Sequence, residues 1–581
     1  MAKNKRHAHI KSSVNTNGLT LLAFAFASLA PSFVYAVQLP TLDSGSLMQE
    51  QERQVPVLPA PNATPDVVLT PLDAETSKQE IKIKVVSFEF EGATKIANTV
   101  LQSLLASELG KELTMPDLQR LGDRIAEHYR RSGYLAKVYL PEQDLNSGSV
   151  KFVIIESNFG SMIIDDSKEK IRLREHIAQK FGSYGQELGK PLNVTAVQRA
   201  TNIMNDIPGV AASAMLSPGQ EKGATNVVMK LVNRPALNVM LQADNFGNHA
   251  TGAAKVLGYA SVDNYYGYGE QFTLLTTKSQ GSEYGRAAVT LPIGYNGLRV
   301  GINFSALNYD VVNGTVPGQN VDGKARYYGL EARYPIVRSN TSNLFVVGSV
   351  EKRSFQDDVN NIQYSDRQLD IFGLELNGNT VDSFGGGGYN SAMLNFHAGN
   401  FDQNNQGAKA LDQLTKNSAG NYSKINWALS RLQRITGKDA LWLSANGQQA
   451  NDNLDSSEKL SLGGPYGVRA YPVTEALGDE GYLLTAELRH NFTPQLQAIA
   501  FYDYGSIKLN HQKWATFGTG INSYDLEGVG IGASWTKPAD YSVRFVFSHR
   551  LGSNPAKDLK GNDNDGTDRF NRIWVSFIKF L

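Results

Sequence analysis

Two short stretches hold the residues best placed to do chemistry: Gly467-Val468-Arg469-Ala470-Tyr471, within the segment SLGGPYGVRAYP at 461–472, and Phe501-Tyr502-Asp503-Tyr504-Gly505. The chemistry they offer is an ion pair. Arg469 is the lone arginine of a long segment punctuated by Gly and Pro, and Asp503 is the lone carboxylate of a segment that alternates in polarity. Across 495–505 one face carries Leu496, Ala498, Ala500, Tyr502 and Tyr504, and the other carries Gln495, Gln497, Ile499, Phe501, Asp503 and Gly505. With a period of two, Asp503 falls on the polar side of a strand. A guanidinium fits a carboxylate through two parallel hydrogen bonds, so a loop carrying Arg469 that folds back onto this strand locks there. In a partly wet channel the lock contributes less than the roughly 3–5 kcal/mol lost when a fully buried pair is broken.

Nothing else in the chain has the residue types and spacing of a reaction centre. HExxH, GxSxG and P-loop patterns are missing from it. Nine His are scattered without the close spacing of metal ligands in the mature chain. The chain has no Cys, which excludes thiolate sites and disulfide scaffolds. The expectation is no enzyme, no metal and no cofactor. Lys+Arg and Asp+Glu balance at 56 each, so no nucleic-acid partner is implied. Phe384-Gly385-Gly386-Gly387-Gly388-Tyr389 has no following Lys-Ser/Thr and reads as a flexible turn between strands. Tyr265, Tyr266, Tyr268 and Trp574 read as aromatics of a membrane-interface belt.

The element that must position Arg469 and Asp503 is a wall of alternating strands. From Leu237 onward, Leu298, Val300, Ile302, Phe304 and Ala306 oppose Arg299, Gly301, Asn303 and Ser305; Val529, Ile531, Ala533 and Trp535 oppose Gly528, Gly530, Gly532 and Ser534. In 482–490 the polar face includes Glu487 and Arg489. One side carries charge where a soluble core would be apolar, the pattern of a transmembrane barrel. About sixteen segments are predicted, starting near 237, 252, 269, 283, 296, 324, 340, 366, 388, 422, 438, 481, 494, 524, 540 and 569. No stretch of the mature chain has the length of a membrane helix, and a closed barrel is the other way to satisfy every backbone group inside lipid. The barrel is predicted over 235–581, with 451–480 as a loop folded into its lumen.

Upstream, Lys3, Lys5, Arg6 and Lys11 precede the apolar run Leu19 to Ala30, and Val34-Tyr35-Ala36 offers a cleavage site, so 1–36 reads as a signal peptide. A helix is predicted over 42–54, capped at Ser44 or Ser46, and a Pro-rich linker over 55–80. The order strand, helix, helix, strand, strand then occurs twice, giving two small α+β modules at 81–157 and 158–234. Their open sheet edges are templates for a strand from another chain.

The VRAY segment at 468–471 and the Phe-x-Asp-x-Gly segment at 501–505 together resemble the paired signatures of the Omp85 superfamily, and more narrowly TpsB transporters, the outer-membrane half of two-partner secretion. RSGYLAKVYLPEQDLNSGSVKFVIIE, at 131–156, resembles the end of a first TpsB POTRA domain. The family usually has Gly where this chain has Ala470, a departure that bears on how closely the loop tip packs. The resemblance implies a plug helix inside the barrel, POTRA domains at 81–157 and 158–234, and a location in the bacterial outer membrane with those domains in the periplasm. It implies export, without ATP, of a large TpsA-type exoprotein captured by its N-terminal secretion domain: a contact-dependent growth-inhibition toxin, a haemolysin or an adhesin. Cargo would bind somewhere in 81–234, the barrel would sit in outer-membrane lipid as a monomer, and no cofactor is implied. The alternative is an Omp85-type assembly factor, which would keep both motifs but carry more POTRA repeats and no plug.

Overall fold

The computed structural model describes residues 42–53, 82–167, 169–221, 223–314 and 318–581; the segments read above as signal peptide and Pro-rich linker lie outside the described residues. Sixteen antiparallel strands form a closed barrel, the last, Asn571–Phe580, pairing with the first, Leu237–Asp244. They start at 237, 255, 271, 282, 299, 321, 342, 362, 388, 420, 439, 480, 496, 523, 541 and 571, each within a few residues of its predicted position. Closure leaves no unpaired edge, which is what lets strands stand in lipid.

Alternation sets the two faces. Ile302, Ile531, Leu330, Val350 and Trp535 are exposed on the outside, as a hydrocarbon-facing wall requires. Inward, Tyr284, Leu307, Tyr309, Leu369 and Phe401 are buried in one cluster that includes Leu47 and Met48 of the N-terminal helix. The sixth to eighth strands, Val321–Arg338, Ser342–Val359 and Ile362–Asp382, have 18, 18 and 21 residues. Crossing a bilayer takes only about 9–11 tilted residues, so this part of the wall extends well beyond the membrane.

The turn at Phe384–Gly388 is pinned rather than flexible. The Gln433 side-chain amide donates to the carbonyls of Gly385 (2.8 Å), Gly387 (3.1 Å) and Arg434 (2.9 Å), and its own oxygen accepts from Arg431 at 2.6 Å. Sequence composition shows the glycines but not the distant amide that holds them.

Two α+β modules precede the barrel. In the first, the strands Ser87–Glu91, Ser149–Glu156 and Ala136–Tyr139 form one sheet in that order. Its long helix, Met115–Arg131, starts in a capping box between Thr114 and Asp117 and buries Leu118, Leu121, Ile125 and Tyr129 against Phe152. Glu156 ends the central strand under Tyr129. Burial alone would raise its carboxyl, but hydrogen bonds from the Thr94 hydroxyl and the Thr94 and Lys95 N–H groups hold it below the usual carboxylate range.

The second module orders Asn158–Asp165, Ala224–Asn233 and Val210–Pro218 in its sheet. Backbone bonds join the two modules, Val194 N–H to the Gly133 carbonyl at 2.8 Å and Leu192 N–H to that of Ser157 at 2.7 Å. The second module also docks on barrel turns: Arg338 donates twice to Asp206 at 2.8 Å, Arg199 donates to the Pro335 carbonyl at 2.7 Å, and Phe181 meets Tyr295 edge-on.

Candidate functional site in the barrel lumen

The segment between the eleventh strand, Asp439–Ala450, and the twelfth, Glu480–Asn491, folds inward instead of away from the barrel. Its tip is tightly wound, with Val468 N–H donating to the Leu462 carbonyl at 2.7 Å. Only glycine fits at 467, where an added Cβ would stand 1.9 Å from that same carbonyl oxygen. Leu462, Val468, Ala470 and Tyr471 then bury themselves against Leu483, Ile507 and Leu526 of the wall.

This winding delivers Arg469 to Asp503 on the thirteenth strand, Leu496–Lys508. The guanidinium Nε donates to Oδ2 and Nη2 to Oδ1, both at 2.8 Å, and the Arg469 backbone N–H adds a bond to Oδ2 at 3.2 Å. Its remaining nitrogen, Nη1, reaches Glu487 Oε2 at 2.9 Å. Phe501 lies beneath the guanidinium, 3.3 Å from ring centroid to guanidinium carbon. Thr485 Oγ1 donates to Asp503 Oδ1 at 3.0 Å, and Arg489 Nε donates to the other Glu487 oxygen at 2.8 Å. The Arg469 carbonyl accepts from Ser548 Oγ at 2.6 Å and Trp574 Nε1 at 2.8 Å.

The pair is not partly wet, as a lumen position suggests. Arg469 is 5% exposed and Asp503 0%, because the loop that carries the arginine also covers the site.

Glu487, Thr485, Ser548 and Trp574 complete a site of which the two sequence motifs show only part. Glu487 was visible as a polar-face residue, but facing inward gives no height along the barrel. Trp574 is not a belt residue: it is 6% exposed and points inward with Ser576, while Ile573, Val575 and Phe577 face out. Its strand parity with Ser576 is the signal that could have placed it.

Two glycines make room for the loop. A Cβ at Gly505 would stand 2.9 Å from a Leu462 methyl, and one at Gly528 would stand 2.7 Å from the Ala470 Cβ. Gly528 thus supplies the space that Ala470 takes up relative to a glycine. Gly528→Ala is expected to destabilise the loop seat by about 1–3 kcal/mol, the range for overpacking, with Ala470→Gly restoring it. Thermal unfolding of both single variants and the double variant checks this; a double variant no more stable than Gly528→Ala counts against it.

Above the tip the backbone is strained. Thr474 and Ala476 have φ of 62° and 58°, a region that β-branched residues in particular avoid. Glu475 between them accepts from Asn554 Nδ2 at 3.0 Å and the Asn564 N–H at 2.9 Å, and Asn248 donates to Thr474 Oγ1 at 2.9 Å. Arg550, ion-paired with Asp563, lies between the rings of Tyr471 and Phe570. The last barrel loop, between 551 and 571, therefore straps the inward loop from above.

The N-terminal helix, Ser44–Glu52, occupies the remaining lumen. Asp43, not Ser44 or Ser46, is its cap: the Asp43 carboxylate accepts from the Ser46 N–H at 2.8 Å, and Ser46 fills the third position of a capping box. The Ser44 N–H donates to Asp357 Oδ1 at 2.7 Å, and Arg367 bridges Asp43 (3.1 Å), Asp357 (2.8 Å) and Asp455 (2.8 Å), joining helix, wall and inward loop. Gln49 Nε2 donates to the carbonyls of Ser457 at 3.0 Å and Lys459 at 2.8 Å. At the other end Glu52 pairs with Arg286 and accepts from Tyr284 and Ser305 hydroxyls, each at 2.7 Å. Helix and loop leave between them a cavity of about 230 Å³. Among the described residues no group of His, Cys, Asp or Glu is arranged to hold a metal ion.

The family model "Haemolysin secretion/activation protein ShlB/FhaC/HecB" matches residues 223–534, and a ShlB-type POTRA domain model matches 83–157. The chain belongs to the ShlB/FhaC/HecB family. It is an outer-membrane transporter of two-partner secretion, a TpsB protein, with its POTRA domains on the periplasmic side. Among relatives, the heme/hemopexin transporter protein HuxB of Haemophilus influenzae (strain 86-028NP) is 26% identical over 557 residues, covering 92% of this chain and 94% of HuxB. The outer membrane transporter CdiB of Escherichia coli is 24% identical over 513 residues, covering 84% of this chain and 83% of CdiB. The solved structure of CdiB from Escherichia coli shares the fold with a TM-score of 0.72 at 19% identity, covering 94% of this chain and 100% of that one.

Proposed function

We propose that this transporter passes a large secreted exoprotein, unfolded, through its own barrel, with the helix Ser44–Glu52 as plug and the Arg469 loop as the part that must stay locked for export. The observation that carries the proposal is Arg469 itself, whose buried guanidinium joins the loop to two strands through Asp503 and Glu487. The helix lies in the lumen among inward-facing wall residues, fastened at one end to Arg367 and at the other to Arg286, and so stands in the path of an extended chain. The helix must therefore leave for transport to occur. A single chain closes its own barrel, so a monomer suffices. The barrel fold would serve an assembly factor equally well; the match to a secretion family favours export. With no ATP in the periplasm, folding of the cargo outside supplies the direction.

Cargo is received, in this reading, at the POTRA sheets. Ala136–Tyr139 and Ser87–Glu91 are edge strands of the first sheet, and Val210–Pro218 and Asn158–Asp165 of the second. Such edges can pair with an extended cargo segment. Removing 81–156 is expected to abolish secretion of a co-expressed exoprotein carrying its N-terminal secretion domain, while the barrel still inserts, because its backbone bonds close among themselves. Normal export by the truncated transporter would reduce the first module to a spacer.

A further inference from the structure

The two sides of the lumen differ in chemistry, and different parts of the chain cover them. On the fourth to ninth strands the inward face is apolar and aromatic. Tyr284, Leu307 and Phe355 lie along one register row, Tyr327, Leu369 and Phe401 along the next, and all six are buried in the cluster that holds Leu47 and Met48 of the plug helix. On the tenth to twelfth strands the inward face is polar: Asn426 donates to Gln448 at 2.7 Å, Gln448 to the Glu458 and Asp479 carbonyls at 2.9 and 3.0 Å, and Thr485 to Asp503. The polar side lies under the inward loop, which Arg469 locks; the apolar side lies under the helix, which has to leave for export. The interior of an outer-membrane barrel is ordinarily polar, so this apolar wall calls for a reason. Fitting the plug is too small a reason, because the helix has two apolar residues of its own, Leu47 and Met48, to set against it.

The opposite bank of the plug's seat is backbone. The Gln49 amide donates to the carbonyls of Ser457 and Lys459, two acceptors two residues apart, while the Glu458 carboxylate between them is turned into the wall onto Arg353 at 2.7 Å and Lys424 at 2.9 Å. Departure of the helix therefore strips the apolar cover from one bank and this donor from both carbonyls of the other. Bare apolar surface and unpaired buried acceptors each cost free energy. An extended polypeptide replaces both, since its backbone N–H groups point sideways and its side chains alternate between two faces. The spacing also agrees. Successive inward rows of the wall are two residues, about 6.6 Å, apart along a strand, the interval between alternate side chains of an extended chain lying along it.

We propose that the seat of the plug is a contact surface for cargo: once the helix has left, an extended exoprotein segment with apolar residues at every second position lies between the fourth to ninth strands and residues 457–459. Its apolar side chains rest on Leu307, Tyr327, Phe355 and Leu369, and its N–H groups donate to the Ser457 and Lys459 carbonyls. The inference rests on the export reading above and adds to it the wall that the chain follows. The polar wall, still covered by the locked loop, is not part of the path. The plug, with Leu47 and Met48 on the aromatic bank and Gln49 on the carbonyls, makes the same two kinds of contact and so holds the seat against cargo at rest.

The test places the photo-reactive residue p-benzoylphenylalanine at Tyr327, Phe355, Asn426 or Leu330, one position in each of four full-length transporters. Tyr327 and Phe355 are aromatic already, Asn426 represents the polar wall, and Leu330, 50% exposed on the outside, is the blank. Each is co-expressed with an exoprotein whose N-terminal secretion domain is followed by a disulfide-locked domain that halts it in the barrel, and barrel closure is checked by heat-modifiable mobility. On illumination, adducts with the halted exoprotein are expected at Tyr327 and Phe355 with at least fivefold the yield at Asn426, and none at Leu330. Yields at Asn426 equal to or above those at Tyr327 and Phe355 would overturn the inference and leave export through the barrel standing. Adducts at Tyr327 and Phe355 with the transporter's own chain alone, while the exoprotein reaches Asn426, would overturn it in the same way, by showing the seat still filled. No adduct at any inward position, with the halted exoprotein still bound to the transporter, would overturn the export reading itself.

Discussion

Arg469→Ala is expected to abolish export while the barrel still assembles in the outer membrane. The substitution removes both side-chain bonds to Asp503 and the bond to Glu487. It leaves Asp503, 0% exposed, with only Thr485 and the residue 469 N–H as donors. Removing one partner of a buried pair costs roughly 3–5 kcal/mol, and that cost falls on the loop seat rather than on the strand ladders. Asp503→Ala should be about as damaging. Glu487→Gln should be milder, since the two strongest bonds to Arg469 stay. Arg469→Lys should fail as well, because one ammonium cannot make two parallel bonds to Asp503 and also reach Glu487. The measurement is a double-mutant cycle on exoprotein secretion with surface expression of each variant matched. If the residues act as a pair, the double variant exports no worse than either single one; strictly additive defects, or full activity in either single variant, would dismiss the lock.

Much of this architecture was legible because period-two alternation reports both strand position and face. Asp503 and Glu487 were placed on the inward side in that way, and the sixteen starts followed from the turns between segments. What stayed hidden was height and depth. Facing inward does not say that Glu487, Ser548 and Trp574 reach the same arginine from three strands. Nor does it say that the loop dries the site it locks. Arg367 shows the other limit: its partners Asp43 and Asp455 lie 324 and 88 residues away, and no local pattern in a single sequence encodes such pairings. The cap at Asp43 was missed because Ser44 and Ser46 are equally good capping types, and only the backbone shows that Ser46 already serves as the third helical residue.

Deleting residues 42–54 is expected to convert a closed pore into a conducting one without releasing the inward loop. The helix is fastened at both ends, by Asp43 and Ser44 to Arg367 and Asp357, and by Glu52 to Arg286, Tyr284 and Ser305. Its removal exposes Leu307, Leu369 and the inward tyrosines to water and leaves a lumen as wide as the helix that filled it, about 10 Å. The loop loses its bonds from Gln49 but keeps Arg367 on Asp455, Arg353 and Lys424 on Glu458, and the whole Arg469 cluster. Single-channel conductance in planar bilayers should therefore rise severalfold, while a disulfide engineered across the loop seat, away from the helix, should form as readily as before. Glu52→Ala should give an intermediate result, with brief openings, because it frees one end only. Unchanged conductance on deletion would mean that the helix does not limit the pore. Loss of the engineered crosslink would instead mean that helix and loop leave together, with Arg367 as the joint between them.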